Sequence, residues 1–187
     1  MTFRKSLLAA AASAALGISA LASPVFAENP MVGGSEMFPE KNIVENAVNS
    51  KDHTTLVAAV KAGGLVDTLS GAGPFTVFAP TNEAFAKLPA GTVDTLLKPE
   101  NKDQLTKVLT YHVVPVSAMS DAINKMIKDD GGKHEVKTVS GDTLTVMSKN
   151  DKIMIMDESG QTATVTQADV KQSNGVIHVI DTVLLPK

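Results

Sequence analysis

The chain has 187 residues, 43 % of them hydrophobic and 20 % charged, with a formal net charge of −3 and no cysteine. This length fits one domain with a sizeable core, and the lack of cysteine excludes disulfides, a thiol nucleophile and a lipid-modified N-terminal cysteine. A mildly acidic chain without a basic patch is a poor partner for nucleic acid or anionic membrane surfaces, and 4 % aromatic residues argue against stacking platforms for sugars or bases.

Residues 1–27 have the pattern of a secretory signal peptide. Two basic residues precede an apolar stretch that begins at Leu7, and Val25–Ala27 supplies the small residues of a cleavage site. A membrane span is a weaker interpretation because the stretch is barely long enough and meets Pro24 before any stop-transfer charge. We predict a secreted protein, periplasmic or extracellular, with no integral membrane segment in the mature chain.

The segment after the leader divides into an arm and a helical region. Residues 28–40 contain proline and paired glycines without an apolar period, which predicts a flexible arm before a domain over 41–187. In DHTTLVAAVKAGG the apolar residues share one helical face, Asp52 is placed to cap the helix, and the paired glycines are placed to end it.

A strand and its following helix are indicated in GPFTVFAPTNEAF, residues 73–85. Alternating apolar residues predict the strand, Pro80 closes it, and Thr81 is placed to cap the helix. Two more short helices then lead to an extended exit before Pro115, because a proline disfavours helical backbone in the preceding residue. SAMSDAINKMIKDDGG predicts a further helix or a lid-like loop.

After residue 132 the apolar period changes to two, which predicts a series of strands. HEVKTV, DTLTVMSK, KIMIMD, TATVTQADV and GVIHVIDTVLL are separated by SGD, KND, ESG and SNG turns. Helices mainly in the N-terminal half, one early strand and a sheet-rich second half indicate an α+β domain rather than a doubly wound one.

The hairpin TLTVMSKNDKIMIM places methionines on one of its faces. If Asn150 and Asp151 form the turn, Met147, Met154 and Met156 share a face with threonine, and the opposite face is core. Three interpretations of the methionine face stay open: a soft-metal site for copper(I), the floor of an apolar ligand site, or a second packed layer. Methionine at alternate strand positions usually serves packing, so we predict no metal.

No catalytic site is predicted. The four histidines, His53, His112, His134 and His178, are not spaced for a local zinc site, and hydrolase and phosphate-loop motifs are absent from the sequence. We therefore predict neither a catalytic residue nor a cofactor. His178 stands in a strand that is apolar on both faces, which predicts a buried, neutral and hydrogen-bonded imidazole.

Three segments, GPFTVFAPTNEAF (73–85), YHVV (111–114) and NGVIHVIDTVLLP (174–186), closely resemble the fasciclin-like domain family in order and spacing. The resemblance covers about 41–187. It implies an α+β fold, a β-sandwich or wedge decorated with several helices, and a role in adhesion or matrix association instead of catalysis. The first and last segments then supply neighbouring core strands, with structural roles for Phe75, Val77, Phe78, Thr81, His178 and Ile180.

The same resemblance implies candidate partner-binding residues. Asp169 and Val170 stand where animal relatives carry an Asp-Ile pair implicated in integrin binding, and Tyr111 and His112 match a tyrosine-histidine motif tied to cell adhesion. A structural interpretation stands beside each one. Val170 fits a strand core, Asp169 a solvated turn, and the Tyr-His pair a hydrogen-bonding brace.

We predict a non-enzymatic binding protein for a protein, cell-surface or matrix partner. The alternative is a carrier of a small apolar ligand, a pigment or lipid. It is motivated by the methionine face and by an apolar helix face that could close over a groove, formed by Met119, Ile123, Met126 and Ile127.

Overall fold

A computed structural model describes residues 29–187, and the predicted leader over 1–27 lies outside them. The helices are α1 (Ile43–Ala47), α2 (Thr54–Gly63), α3 (Val66–Ser70), α4 (Asn82–Ala86), α5 (Thr92–Leu96), α6 (Lys102–Tyr111) and α7 (Ser120–Asp129). The strands are β1 (Met31–Val32), β2 (Ser35–Glu36), β3 (Phe75–Pro80), β4 (Val113–Val114), β5 (Lys133–Lys137), β6 (Thr143–Lys149), β7 (Lys152–Met156), β8 (Thr162–Gln172) and β9 (Gly175–Ile180). The α+β prediction is confirmed.

Seven strands form one mixed sheet in the order β4-β3-β9-β8-β7-β6-β5. Strands β3 and β9, the second and third in this order, pair in parallel and are called the central strands because both of their faces are covered, and the other neighbours are antiparallel. The sheet curls until its ends approach, since the Val139 N–H, just beyond β5, donates to the Val113 carbonyl of β4 at 2.8 Å. The result is a wedge that is nearly a closed barrel.

The two faces of the central strands are buried in two separate cores. Val77 and Ala79 of β3, with Ile177 and Val179 of β9, face the core built with α1 to α6. Phe78 and Ile180 face a second core, completed by α7 and the inner residues of β6 and β7. A strand covered on both faces explains why GVIHVI contains no polar residue except His178.

Local chemistry sets the ends of the first helices, with one exception. The Thr81 side chain accepts from the Ala84 N–H at 3.2 Å and so caps α4, and Gly64 ends α2 in a left-handed conformation with φ of 72°. The predicted cap at Asp52 is wrong. Asp52 lies inside a 3₁₀ turn over Lys51–His53, so α2 begins after His53 without a side-chain cap.

Residues 31–37 differ from the predicted flexible arm. Strands β1 and β2 form a small hairpin, and Val32 and Met37 are buried against the helical core. The Gly33 carbonyl accepts from the Lys51 N–H at 3.2 Å, which holds the hairpin on the domain. Two anchoring side chains are too few to produce a recognisable apolar period, which is why the sequence did not indicate this packing.

The β6–β7 hairpin has the predicted register and turn. Met147 lies opposite Met154, and Asn150 and Asp151 adopt φ of 52° and 59°. Two successive left-handed residues match the right-handed twist of the strands, and Asn and Asp tolerate that conformation. Within residues 29–187, none of the helices is both long and apolar enough to span a bilayer.

Candidate functional site

His178 is buried in the middle of β9, and both of its ring nitrogens are hydrogen-bonded. Nε2 donates to the Ala118 carbonyl at 2.8 Å, and Nδ1 accepts from the Asp169 backbone N–H at 3.3 Å. Burial lowers the pKa of the imidazole, although the Ala118 carbonyl and the Asp169 charge oppose that shift. The neutral imidazole of His178 therefore links β9 to the segment before α7 and to β8.

Asp169 holds the start of α7. It lies in an irregular part of β8 with a left-handed φ of 61°, which turns its carboxylate towards the helix. One carboxylate oxygen accepts from the Ser120 backbone N–H at 2.6 Å, and the other accepts from the Ser120 hydroxyl. An acid at a helix N-terminus is stabilised by the unpaired N–H groups and the helix dipole.

A second connection joins the segment before α7 to β3. The Thr76 hydroxyl donates to the Val116 carbonyl at 2.6 Å and accepts from the Ala118 N–H at 2.8 Å. Since Ala118 also bonds His178, the two central strands hold this segment from both sides.

Tyr111 and His112 are buried braces. The Tyr111 hydroxyl donates to the Thr143 carbonyl at 3.0 Å and accepts from the Glu158 N–H at 3.2 Å, and burial raises its pKa to about 12. His112 Nδ1 donates to the Val108 carbonyl at 2.8 Å, and Nε2 accepts from the Leu184 N–H at 3.0 Å. Burial lowers the pKa of His112 to about 4, so the ring is neutral at pH 7.

The candidate partner-binding residues are therefore not at the surface as a group. Tyr111 and Val170 have no exposed area, and His112 is also buried. Asp169 is half-buried, with its carboxylate bonded to Ser120. This geometry does not agree with the expected contact between these side chains and a partner, because the side chains are covered by the neighbouring residues that they pack against or bond.

The four histidines occupy separate places. His53 bonds the Ser50 hydroxyl at 2.8 Å in the helical core, and His134 bonds Asp130 near the end of α7. Among residues 29–187, no three His, Cys, Asp or Glu side chains come together in a way that could hold a metal ion.

The outer side of β6, β7 and β8 carries a surface that we call the Thr–Met face. It consists of five half-buried side chains, Thr145, Met147, Met154, Met156 and Thr164. The pairing register puts Met147 opposite Met154, Thr145 opposite Met156, and Met154 opposite Thr164. The second-packed-layer interpretation does not hold, because each of these side chains keeps contact with solvent. Exposed Lys133 and Glu135 of β5 border the face.

An apolar groove of about 370 Å³ lies on the other side of β6, between α7 and β5. Phe78, Val146 and Val136 line it, and α7 contributes Ile123 and Met126. A groove beneath α7 agrees with the predicted closing helix, but Ile127 is buried in the core and Met119 lines a different cleft. None of the three methionines of the Thr–Met face borders this groove.

Sequence reasoning missed the partners of the braces. Ser120, Thr76 and Ala118 bond residues 40 or more positions away in the chain, so no local pattern indicates them. The one available signal was the serine at the start of SDAINKMIKD, a residue type that marks helix N-termini.

Comparison with known proteins identifies the fold. The model of the fasciclin domain family matches residues 51–186. The chain is 54 % identical over 144 residues to Protein sll1483 of Synechocystis, an alignment that covers 77 % of this chain and 73 % of that protein. It is 36 % identical over 166 residues to the cell surface glycolipoprotein MPT83 of Mycobacterium tuberculosis, covering 86 % and 68 %.

Two longer proteins match over part of their length. The transforming growth factor-beta-induced protein ig-h3 of Sus scrofa is 40 % identical over 131 residues, which cover 70 % of this chain and 17 % of that protein. The solved FAS1 domain pair from the insect cell adhesion molecule Fasciclin I has a TM-score of 0.55 and 26 % identity. That match covers 70 % of this chain and 43 % of the pair.

The buried histidines predict a loss of stability in mild acid. His53, His112 and His178 all have pKa values below the 6.5 of an unfolded chain, so the unfolded state binds more protons as pH falls below 6.5. The free energy of unfolding should then fall by up to about 1.4 kcal/mol per pH unit for each histidine. For His112 this window extends from 6.5 down to about 4.

Urea denaturation at pH 7.5 and pH 5.0 measures this loss. The variant His112→Gln keeps a donor for the Val108 carbonyl and an acceptor for the Leu184 N–H, but it does not titrate. It should lose less stability between the two pH values than the parent protein. Equal losses in the two proteins would show that His112 is not a buried neutral group.

Proposed function

This chain belongs to the fasciclin domain family, and on that basis we propose that it is a secreted, non-enzymatic binding protein for a cell-surface or extracellular-matrix partner. The similarity to domains of an insect cell adhesion molecule and to a mycobacterial cell surface glycolipoprotein supports this role. The signal-like pattern of residues 1–27 supports export.

The observation that carries the proposal is the composition of the Thr–Met face. Three methionines form an apolar centre on a sheet surface, with threonines beside them and the charged Lys133 and Glu135 at the border. An apolar centre inside a polar rim is typical of protein–protein interfaces, where methionine is enriched. Flexible methionine side chains also adapt their shape to a partner.

We assign a supporting role to Asp169, Val170, Tyr111 and His112. Their bonds fix α7, the central strands and the C-terminal segment, so their replacement should act on adhesion through stability. Partner contact through the Thr–Met face and bracing through the buried groups are then separable by mutation.

Replacing Met154 by glutamate should weaken adhesion about tenfold, the effect expected for a central interface residue, because it puts a charge into the apolar centre. Met31→Glu is the matched control, since Met31 is 54 % exposed and lies on β1, outside the group of side chains that form the Thr–Met face. Flow cytometry measures binding of the labelled proteins to cells of the organism that encodes the chain and to beads coated with its extracellular matrix.

Two outcomes would contradict the assignment of the face. M154E, shown to be folded by circular dichroism, would adhere as well as the parent, or M31E would lose as much adhesion as M154E.

The variant Asp169→Asn tests the bracing role, and below its melting temperature it should adhere like the parent. A folded D169N that does not adhere would move the partner site to Asp169.

The groove between α7 and β5 supports a second candidate function, a carrier of a small apolar molecule such as a pigment or lipid. Its volume of about 370 Å³ and its apolar lining lie within the range of small-molecule sites. This candidate is independent of the Thr–Met face, since Val146 and Met147 point to opposite sides of β6.

Native mass spectrometry and an absorption spectrum of protein purified from the medium or periplasm of its own organism test the carrier function. A carrier would show a reproducible extra mass that is lost on extraction with organic solvent. Met126→Trp, which narrows the groove, should lose that mass, whereas M154E should keep it. A bare polypeptide mass for the parent protein would eliminate this candidate.

A further inference from the structure

The Thr–Met face places three methionines next to one another. Met147 lies directly opposite Met154, and side chains opposite each other in an antiparallel pair have Cβ atoms about 4.5–5.5 Å apart. Met156 follows on the same face of β7 and is diagonal to Met147, at about 7–8 Å. Each methionine has three rotatable bonds, so the three sulfurs can converge on one point above the sheet.

The sequence alone predicts no metal here, on the ground that such methionines usually serve packing, but these side chains are only half-buried. We propose that Met147, Met154 and Met156 form a binding site for a soft univalent cation, with copper(I) as the biological ion. Thioethers are soft, neutral ligands that favour copper(I) over magnesium, calcium or manganese, which prefer oxygen. Each of the three side chains is half-buried, so part of it stays in contact with solvent. The ion binds as copper(I), without a change of oxidation state.

The surroundings of the three sulfurs are compatible with a cation. Threonine hydroxyls flank them, because Thr145 and Thr162 are paired with Met156 and Thr164 is paired with Met154. The nearby charges are three lysines and one glutamate: Lys133 lies opposite Met147, the paired Lys149 and Lys152 lie next to Met147 and Met154 along the same face, and Glu135 lies opposite Thr145. The three lysines are exposed, and their long stems let the ammonium groups stay in water away from the ion.

Two properties separate this site from an ordinary protein metal site. Histidine, cysteine and carboxylate ligands must lose a proton to bind a metal, but a thioether has no proton to lose. The affinity of this site for the cation should therefore be equal at pH 5.0 and pH 7.5. The chain contains no cysteine, so no thiol competes for a soft ion.

Silver(I), a soft univalent ion that is stable in air, is the first probe. Protein carrying ¹³C-methyl methionine is titrated at pH 5.0 and pH 7.5, and methyl resonances are followed by NMR. We expect the methyl groups of Met147, Met154 and Met156 to shift together and to saturate at one equivalent. The exposed Met31 methyl should stay in place.

Leucine variants remove sulfur and keep the apolar volume, so the fold should be retained. Loss of an outer-shell partner already weakens metal binding by about 10–100-fold, and loss of a direct ligand in Met154→Leu should weaken silver binding by at least that much. The triple variant Met147→Leu, Met154→Leu, Met156→Leu should not bind, and Met31→Leu should bind like the parent. Silver binding is measured in solution without a partner, so its failure would not decide whether the Thr–Met face takes part in adhesion.

An anaerobic competition against a chromophoric copper(I) chelator then tests the biological ion. The parent protein should withdraw one copper(I) and the triple variant none. The proposal would be overturned by a parallel shift of the Met31 methyl, by undiminished binding of the triple variant, by weaker binding at pH 5.0 of protein that circular dichroism shows to be folded at that pH, or by silver binding without copper(I) binding.

Discussion

The two hydrogen bonds of His178 are the constraint on which the arrangement of this domain depends. An imidazole in a strand covered on both faces needs partners for both nitrogens, because an unpaired buried polar group costs about 1–3 kcal/mol. The Ala118 carbonyl and the Asp169 N–H supply them, and Asp169 in turn holds the start of α7. The position of α7 follows from this network, and with it the second core and the groove beside the helix.

The polar residues that the sequence makes conspicuous thus act inside the molecule. Tyr111 connects α6 to β6 and to the turn after β7, and His112 connects α6 to the C-terminal segment. Because these groups are buried, contact with a partner is left to the side chains of the Thr–Met face, whose role is less apparent in the sequence. One strand illustrates the division: in β6, Leu144 and Val146 face the core, while Thr145 and Met147 face solvent.

The sequence predicted features that local chemistry determines. Thr81 caps α4, and the Asn150-Asp151 turn sets the register that puts three methionines on one face. It could not predict which side of the curled sheet α7 covers, because that depends on Asp169 meeting a residue 49 positions earlier in the chain. A few long-range contacts also dock the N-terminal hairpin, and the predicted arm had no periodic pattern to indicate them.

The state of the buried histidines tests the central claim most directly, through a long-range ¹H–¹⁵N correlation spectrum of the imidazoles at pH 7.0 and pH 5.5. The hydrogen bonds require opposite tautomers, with the proton of His178 on Nε2 and that of His112 on Nδ1. Both rings should be neutral at pH 7.0, and a pKa of about 4 keeps His112 neutral at pH 5.5 as well. A His178 that is cationic at pH 7.0, or one with its proton on Nδ1, would mean that the Asp169 N–H has no acceptor there, and would contradict the network that holds α7.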